Sequence, residues 1–133
     1  MALEAGAFGP RRWDGAFVRE LMGREEARTL LAEDDGPIAY VMFSLSRPCE
    51  TVEVLSLAVS PAFRRRGVAK NLMALVGTMA EEEDAQTISL CVRPDNVEGV
   101  NLYVSLGYKV LALCSGYYED GSDAYMMVKH LGR

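Results

Sequence analysis

Residues 51–93 constrain the fold more than any other segment. They read as a nearly all-apolar strand, TVEVLSLAVS, a basic turn, an apolar-periodic helix, and a second apolar strand, TISLCVR. The helix places Val68, Leu72, Leu75, Val76 and Met79 on one stripe, and Glu81 to Asp84 form its solvated tail. Two buried strands joined through a helix imply a parallel crossover within one sheet.

The flanking sequence adds antiparallel partners. TLLAE and IAYVMFSLS surround Asp34-Asp35-Gly36-Pro37, a pattern that predicts a hairpin. Asp14 is expected to cap a short helix with Phe17, Val18, Leu21 and Met22 on its apolar face, ending near Gly23. Asn96 to Leu106 reads as a helix stopped by Gly107, and YKVLALCS and DAYMMVKHL as two strands joined by GYYEDGS. The expectation is an α/β (α+β) domain over residues 1–133, with a mixed, largely antiparallel sheet; residues 1–12 stay unassigned. A length of 133 residues suffices for one core and not for two.

The turn FRRRGVAKNLM sets three arginines at the start of a helix, where the helix dipole is already positive. Such cations repel the dipole and each other unless an anion arrives. A strand end, a glycine and a helix N-terminus together present free backbone amides, a geometry suited to phosphate. The alternative is a solvated basic turn, and the dipole argument favours the cradle. The chain carries a net charge of −5, which speaks against nucleic acid and for a small anion. Three cysteines without metal-ligand spacing and one histidine argue against a disulfide framework or a zinc site, and suggest reduced thiols in the cytoplasm. No apolar run reaches the ~20 residues of a membrane span, and no signal peptide is visible.

VLSLAVSPAFRRRGVAKNLM resembles the acetyl-CoA-binding core of the GNAT acetyltransferase superfamily, whose pyrophosphate loop is Q/R-x-x-G-x-G/A. Downstream, Asn96, Tyr103, Gly107 and Tyr108 are similar to its N-x6-Y-x3-G-[FY] segment. The tail GYYEDGSDAYMMVKHL resembles protein N-terminal (Nα) acetyltransferases of the bacterial ribosomal-protein-alanine type and the archaeal and eukaryotic catalytic-subunit type. The resemblance covers roughly residues 28–131. It implies helices on both faces of the sheet, with the first strand missing or shortened. It also implies acetyl-CoA as cofactor, no nucleic acid or membrane partner, and a protein N-terminus or other amine as acceptor; a homodimer stays open.

Roles follow position by position. Leu57, Ala58 and Val59 would pair with the pantetheine arm, and Arg64, Arg65, Arg66, Gly67, Val68, Ala69 and Lys70 would wrap the pyrophosphate. Asn96 would bond the cofactor arm, and Tyr103 would act as general acid. Tyr117 and Tyr118 would line the acceptor slot. Relatives carry a glutamate base where this chain has Cys91, read here as core packing. Glu53 is the best remaining base, placed on the face of Leu57 by an even offset unless a bulge intervenes; Glu4 is a weaker candidate. An α-amine, with pKa near 7.7–8.0, is roughly a tenth neutral at pH 7, against under ~0.1% for lysine. A weak base therefore suits α-amines. The alternatives are transfer to a small-molecule amine or a lysine, and a non-catalytic acyl-CoA-binding module.

Overall fold

Period-two alternation of buried side chains produces most of this molecule. The computed structural model describes residues 11–13, 16–21, 27–45 and 50–132. In chain order these form β1 (Arg11–Trp13), β2 (Ala16–Leu21), β3 (Ala27–Glu33), β4 (Pro37–Ser44), β5 (Thr51–Val59), α1 (Val68–Glu82), β6 (Thr87–Val92), α2 (Val97–Ser105), β7 (Lys109–Cys114) and β8 (Ala124–His130). The strands make one eight-stranded sheet in the order β1-β2-β3-β4-β5-β6-β8-β7. Every neighbouring pair is antiparallel except β5 and β6. The crossover and the hairpin read from the sequence are therefore both present.

Residues 16–21 are a strand, which corrects the helix expected from Asp14. Val18 and Glu20 are buried at 1% and 6% exposure. A spacing of two serves one strand face, whereas a helix would turn those side chains about 200° apart. β2 sets Val18 opposite Ala32 and Glu20 opposite Leu30 on β3. The Glu20 carboxylate meets Arg28 at 3.3 Å, which offsets the burial of its charge. Few apolar residues over so short a stretch fit either period, and pairing with β3 decides between them. Asp14, Met22 and Gly23 lie outside the described residues.

One face of the sheet carries Val41 and Phe43 of β4, Val52 and Val54 of β5, and Ile88 and Leu90 of β6, all buried. α1 lies across β3 to β6 and supplies Leu72 and Val76, fully enclosed, to this layer. β6 and β7 are both antiparallel to β8, hence parallel to each other. A right-handed crossover between them puts α2 on the same face as α1. Lys129, which shares this face with Ile88, accordingly reaches over the Tyr108 ring just beyond α2. Among the described residues, α1 and α2 are the two α-helices.

Phe43 has 0% exposure at the centre of this layer. Phe43→Ala is expected to lower unfolding free energy by about 3–5 kcal/mol, measured by denaturant titration.

Candidate active site

The parallel ladder between β5 and β6 begins at Thr51 opposite Thr87 and stops at Val54 opposite Leu90. Beyond that point β5 continues to Val59 along β4, with no β6 residue paired on its other edge. The strands part, and a cleft of about 890 Å³ opens there. Three segments line it: the β5 end at Leu57 to Val59, the turn and first helical residues from Phe63 to Lys70, and the start of α2 with Tyr103.

Both helices aim their N-termini at this cleft, and the two ends differ. Asn96 caps α2, its Oδ1 accepting from the Gly99 amide at 3.0 Å. A Cβ on Gly99 would lie 2.6 Å from the Asn96 amide nitrogen, so glycine is what lets that cap close. α1 has Gly67 at its N-cap position, no side-chain cap and no acidic residue in its first turn. Its first amides are left to an external acceptor. Gly67 sits at φ 77° and Arg65 at φ 65°, both left-handed. Such a backbone costs a non-glycine residue about 1–2 kcal/mol, so the turn holds an unfavourable conformation at Arg65 beside the cleft.

The arginines themselves are engaged. Arg64 Nε donates to the Val59 carbonyl at 3.2 Å, tying the turn to the strand end. Arg65 pairs with Glu98 across the cleft mouth at 3.2 Å. Both ends of that pair are largely exposed, so it holds weakly and yields readily to another anion. Arg66 lies over the Phe63 ring, 5.1 Å from its centroid, and does not line the cleft. Arg64, Arg65, Gly67, Val68, Ala69, Lys70, Asn96 and Tyr103 do line it, as do Leu57, Ala58 and Val59.

A bulge decides where Glu53 points. Ser44 pairs with Glu53 and Phe43 with Val54, but Met42 pairs with Ser56 and Val41 with Leu57, leaving Leu55 as the extra residue. Glu53 therefore shares a face with Ser56 and Ala58, and Leu57 turns to the opposite, helix-covered face. The same-face expectation for Glu53 and Leu57 is corrected. The Tyr40 hydroxyl, 3.0 Å from Ser56 Oγ, marks the Glu53 side of the sheet.

On that side the β7–β8 loop brings its tyrosines to the gap. The half-exposed Tyr117 has its pKa raised, first by a hydrogen bond with the Cys91 thiol and then by the charges of Cys91 and Glu53. Its ring stacks edge-on with Tyr118, centroids 4.9 Å apart. Tyr103, on the cleft side, is buried against Tyr108 at 5.8 Å. Burial, then the field of Tyr118, raises the Tyr103 pKa above its ordinary value of 10.0. Glu53 and Cys91 lie together on the Ser56 face of the sheet, since Glu53 pairs with Ser89 and Cys91 follows two residues later on β6. Glu4 lies outside the described residues. Arg93 carries no local sequence signal, because its partners Asp120 and Ser122 lie far along the chain. Glu98 at the cleft mouth was equally unmarked.

The description "Acetyltransferase (GNAT) family" matches residues 4–108. An N-alpha-acetyltransferase from Sulfurisphaera tokodaii is 34% identical over 134 positions, taking in 92% of this chain and 80% of that one. The N-terminal acetyltransferase A complex catalytic subunit NAA10 of Arabidopsis thaliana is 42% identical over 99 positions, covering 71% of this chain and 51% of that protein, so this chain spans about half its length. Among solved structures, Ard1 from Thermoplasma volcanium aligns at TM-score 0.74 and 26% identity, over 79% of this chain and 71% of that one. A GNAT family acetyltransferase from Elizabethkingia anophelis shares the fold at TM-score 0.78 and 14% identity, over 90% and 100% of the two chains.

Gly67→Val disfavours the left-handed turn by about 1–2 kcal/mol. Calorimetric titration with CoA is expected to show roughly ten-fold weaker binding.

Proposed function

This chain belongs to the acetyltransferase (GNAT) family, and we propose that it moves acetyl from acetyl-CoA to the N-terminal α-amine of a protein or peptide. One observation carries the reading. Beyond Val54 and Leu90 the edge of β5 is unpaired with β6 beside a cleft that carries an uncapped helix N-terminus, and Glu53 and Cys91 lie on the other face of the same two strands. The similarity to an N-alpha-acetyltransferase along most of both chains supports the choice of acceptor.

The residues present fit the cofactor. Free α1 amides and the Gly67 turn suit a pyrophosphate, and the edge of β5 at Leu57 to Val59 suits the amides of an extended arm. Acetyl-CoA, when bound, supplies the activated acetyl group. Leu57 to Val59 would hold its arm and offer a backbone amide to the carbonyl oxygen. Tyr103 keeps its proton across the working pH range, because its pKa lies above the ordinary value, and donates it to the leaving sulfur. Glu53 takes the proton of the incoming amine, and Tyr117 and Tyr118 wall the slot through which that amine approaches. A carboxylate is a weak base for an amine, and an α-amine asks least of it.

Replacing Tyr103 with Phe is expected to cut turnover about 100-fold and leave acetyl-CoA affinity within about two-fold. Unchanged turnover removes Tyr103 as the acid. In the wild-type protein kcat/KM should rise with pH as the α-amine loses its proton near 8, with no fall below pH 10 from Tyr103. Glu53→Gln should displace that profile; superimposable profiles remove Glu53 as the base. Transfer to polyamines, amino sugars or internal lysines in preference to free N-termini would redirect the reading to the alternative acceptors. Tight CoA binding without turnover on any amine would leave an acyl-CoA-binding module.

A further inference from the structure

Arg93 follows the last residue of β6 and holds three groups of the β7–β8 loop at once. Its Nη2 meets Asp120 Oδ2 at 3.1 Å, and its Nη1 donates to the Ser122 hydroxyl. Its guanidinium carbon lies 4.4 Å from the centroid of the Tyr118 ring. The loop has its own frame around this point. The Ser122 amide donates to Asp120 Oδ1 at 2.9 Å, and the Ser122 hydroxyl donates to the same oxygen. The Tyr118 amide reaches the Ser122 carbonyl at 3.1 Å, and the Gly121 amide reaches the Tyr118 carbonyl at 2.9 Å. The Asp120 carboxyl has its pKa lowered to about 2, by Ser122 first and Arg93 after it, so it is ionised at any assay pH.

These contacts converge on the tyrosine pair. Tyr118 is fixed on one side by the guanidinium and on the other by the Tyr117 ring. A planar cation with several donors serves a carboxylate, a hydroxyl and a ring face together; a lysine ammonium serves one of them well. We infer that Arg93 is a positioning residue for the acceptor: it clamps the loop so that Tyr117 and Tyr118 form a fixed wall beside Glu53 and Cys91. The inference rests on reading that loop as the acceptor wall.

The test uses the whole protein loaded with CoA, and N-terminally free peptides beginning with Ala, Ser or Met. Arg93→Ala should raise the peptide dissociation constant about ten-fold and leave CoA binding within about two-fold. Amide exchange across residues 115–123 should quicken at the same time. Arg93→Lys should recover part of both effects, and Asp120→Asn should repeat them more mildly. Arg93→Ala and Asp120→Asn combined should cost less than the sum of the two, since they break one clamp. Unchanged exchange with unchanged peptide affinity overturns the inference; an equal loss of CoA and peptide binding marks general unfolding and passes the decision to the milder variant. If Arg93→Ala fails to fold, Asp120→Asn reads the same two quantities and decides. Tyr117→Ala and Tyr118→Ala separate the two ideas. Weakened peptide binding in these variants beside an inert Arg93→Ala refutes the clamp alone, and unchanged binding in them refutes the acceptor wall beneath it.

Discussion

Everything at the candidate site depends on where two parallel strands stop sharing hydrogen bonds. β5 and β6 run together only from Thr51 and Thr87 to Val54 and Leu90. Leu55 then bulges out of the ladder with β4, and β5 continues along β4 while β6 stays with β8. The parting exposes a strand edge to a cleft and opens the sheet from one face to the other. Had the ladder continued to Val59, those backbone groups would be spent within the sheet, and no extended ligand arm could pair there.

The two crossovers exploit that opening. Each parallel connection of right-handed sense leaves its helix on the same face, with the N-terminus near the end of the preceding strand. α1 and α2 therefore point their positive ends into one cleft, and chemistry at their first residues separates their roles. Asn96 satisfies the start of α2. Gly67 leaves the start of α1 open, and the left-handed turn at Arg65 and Gly67 shapes the approach. The arginines act as struts at Val59, Glu98 and Phe63, and the uncapped amides of α1 face the cleft beside them.

Legibility in the sequence followed the length scale of each signal. α1 declared itself through a stripe of apolar residues over about three turns, and the hairpin through Asp34-Asp35-Gly36-Pro37, because both signals are local. The extent of α2 was legible from Gly107, which stops it, whereas the capping role of Asn96 emerged only with the fold. β2 was misread, since its few apolar positions satisfy both periods and only pairing with β3 resolves them. The Leu55 bulge carried no mark at all: a leucine in an apolar strand looks the same whether or not it is paired. That invisible residue reversed the face assigned to Glu53 relative to Leu57, yet it delivered Glu53 to the side where Tyr117 stands. Arg93 with Asp120 was hidden for a different reason. The contact spans two loops far apart in the chain, and neither residue belongs to a periodic pattern.

We propose that cofactor and acceptor meet between β5 and β6 from opposite faces of the sheet. Backbone amide shifts followed by nuclear magnetic resonance, first with CoA and then with an N-terminally free peptide added to the CoA complex, test it most directly. CoA should move amides at residues 57–70 and 95–99, and the peptide should then move those at Glu53, Cys91, Tyr117 and Tyr118 while CoA stays bound. A peptide that displaces CoA, or that perturbs the 63–70 turn instead of the tyrosine loop, contradicts it.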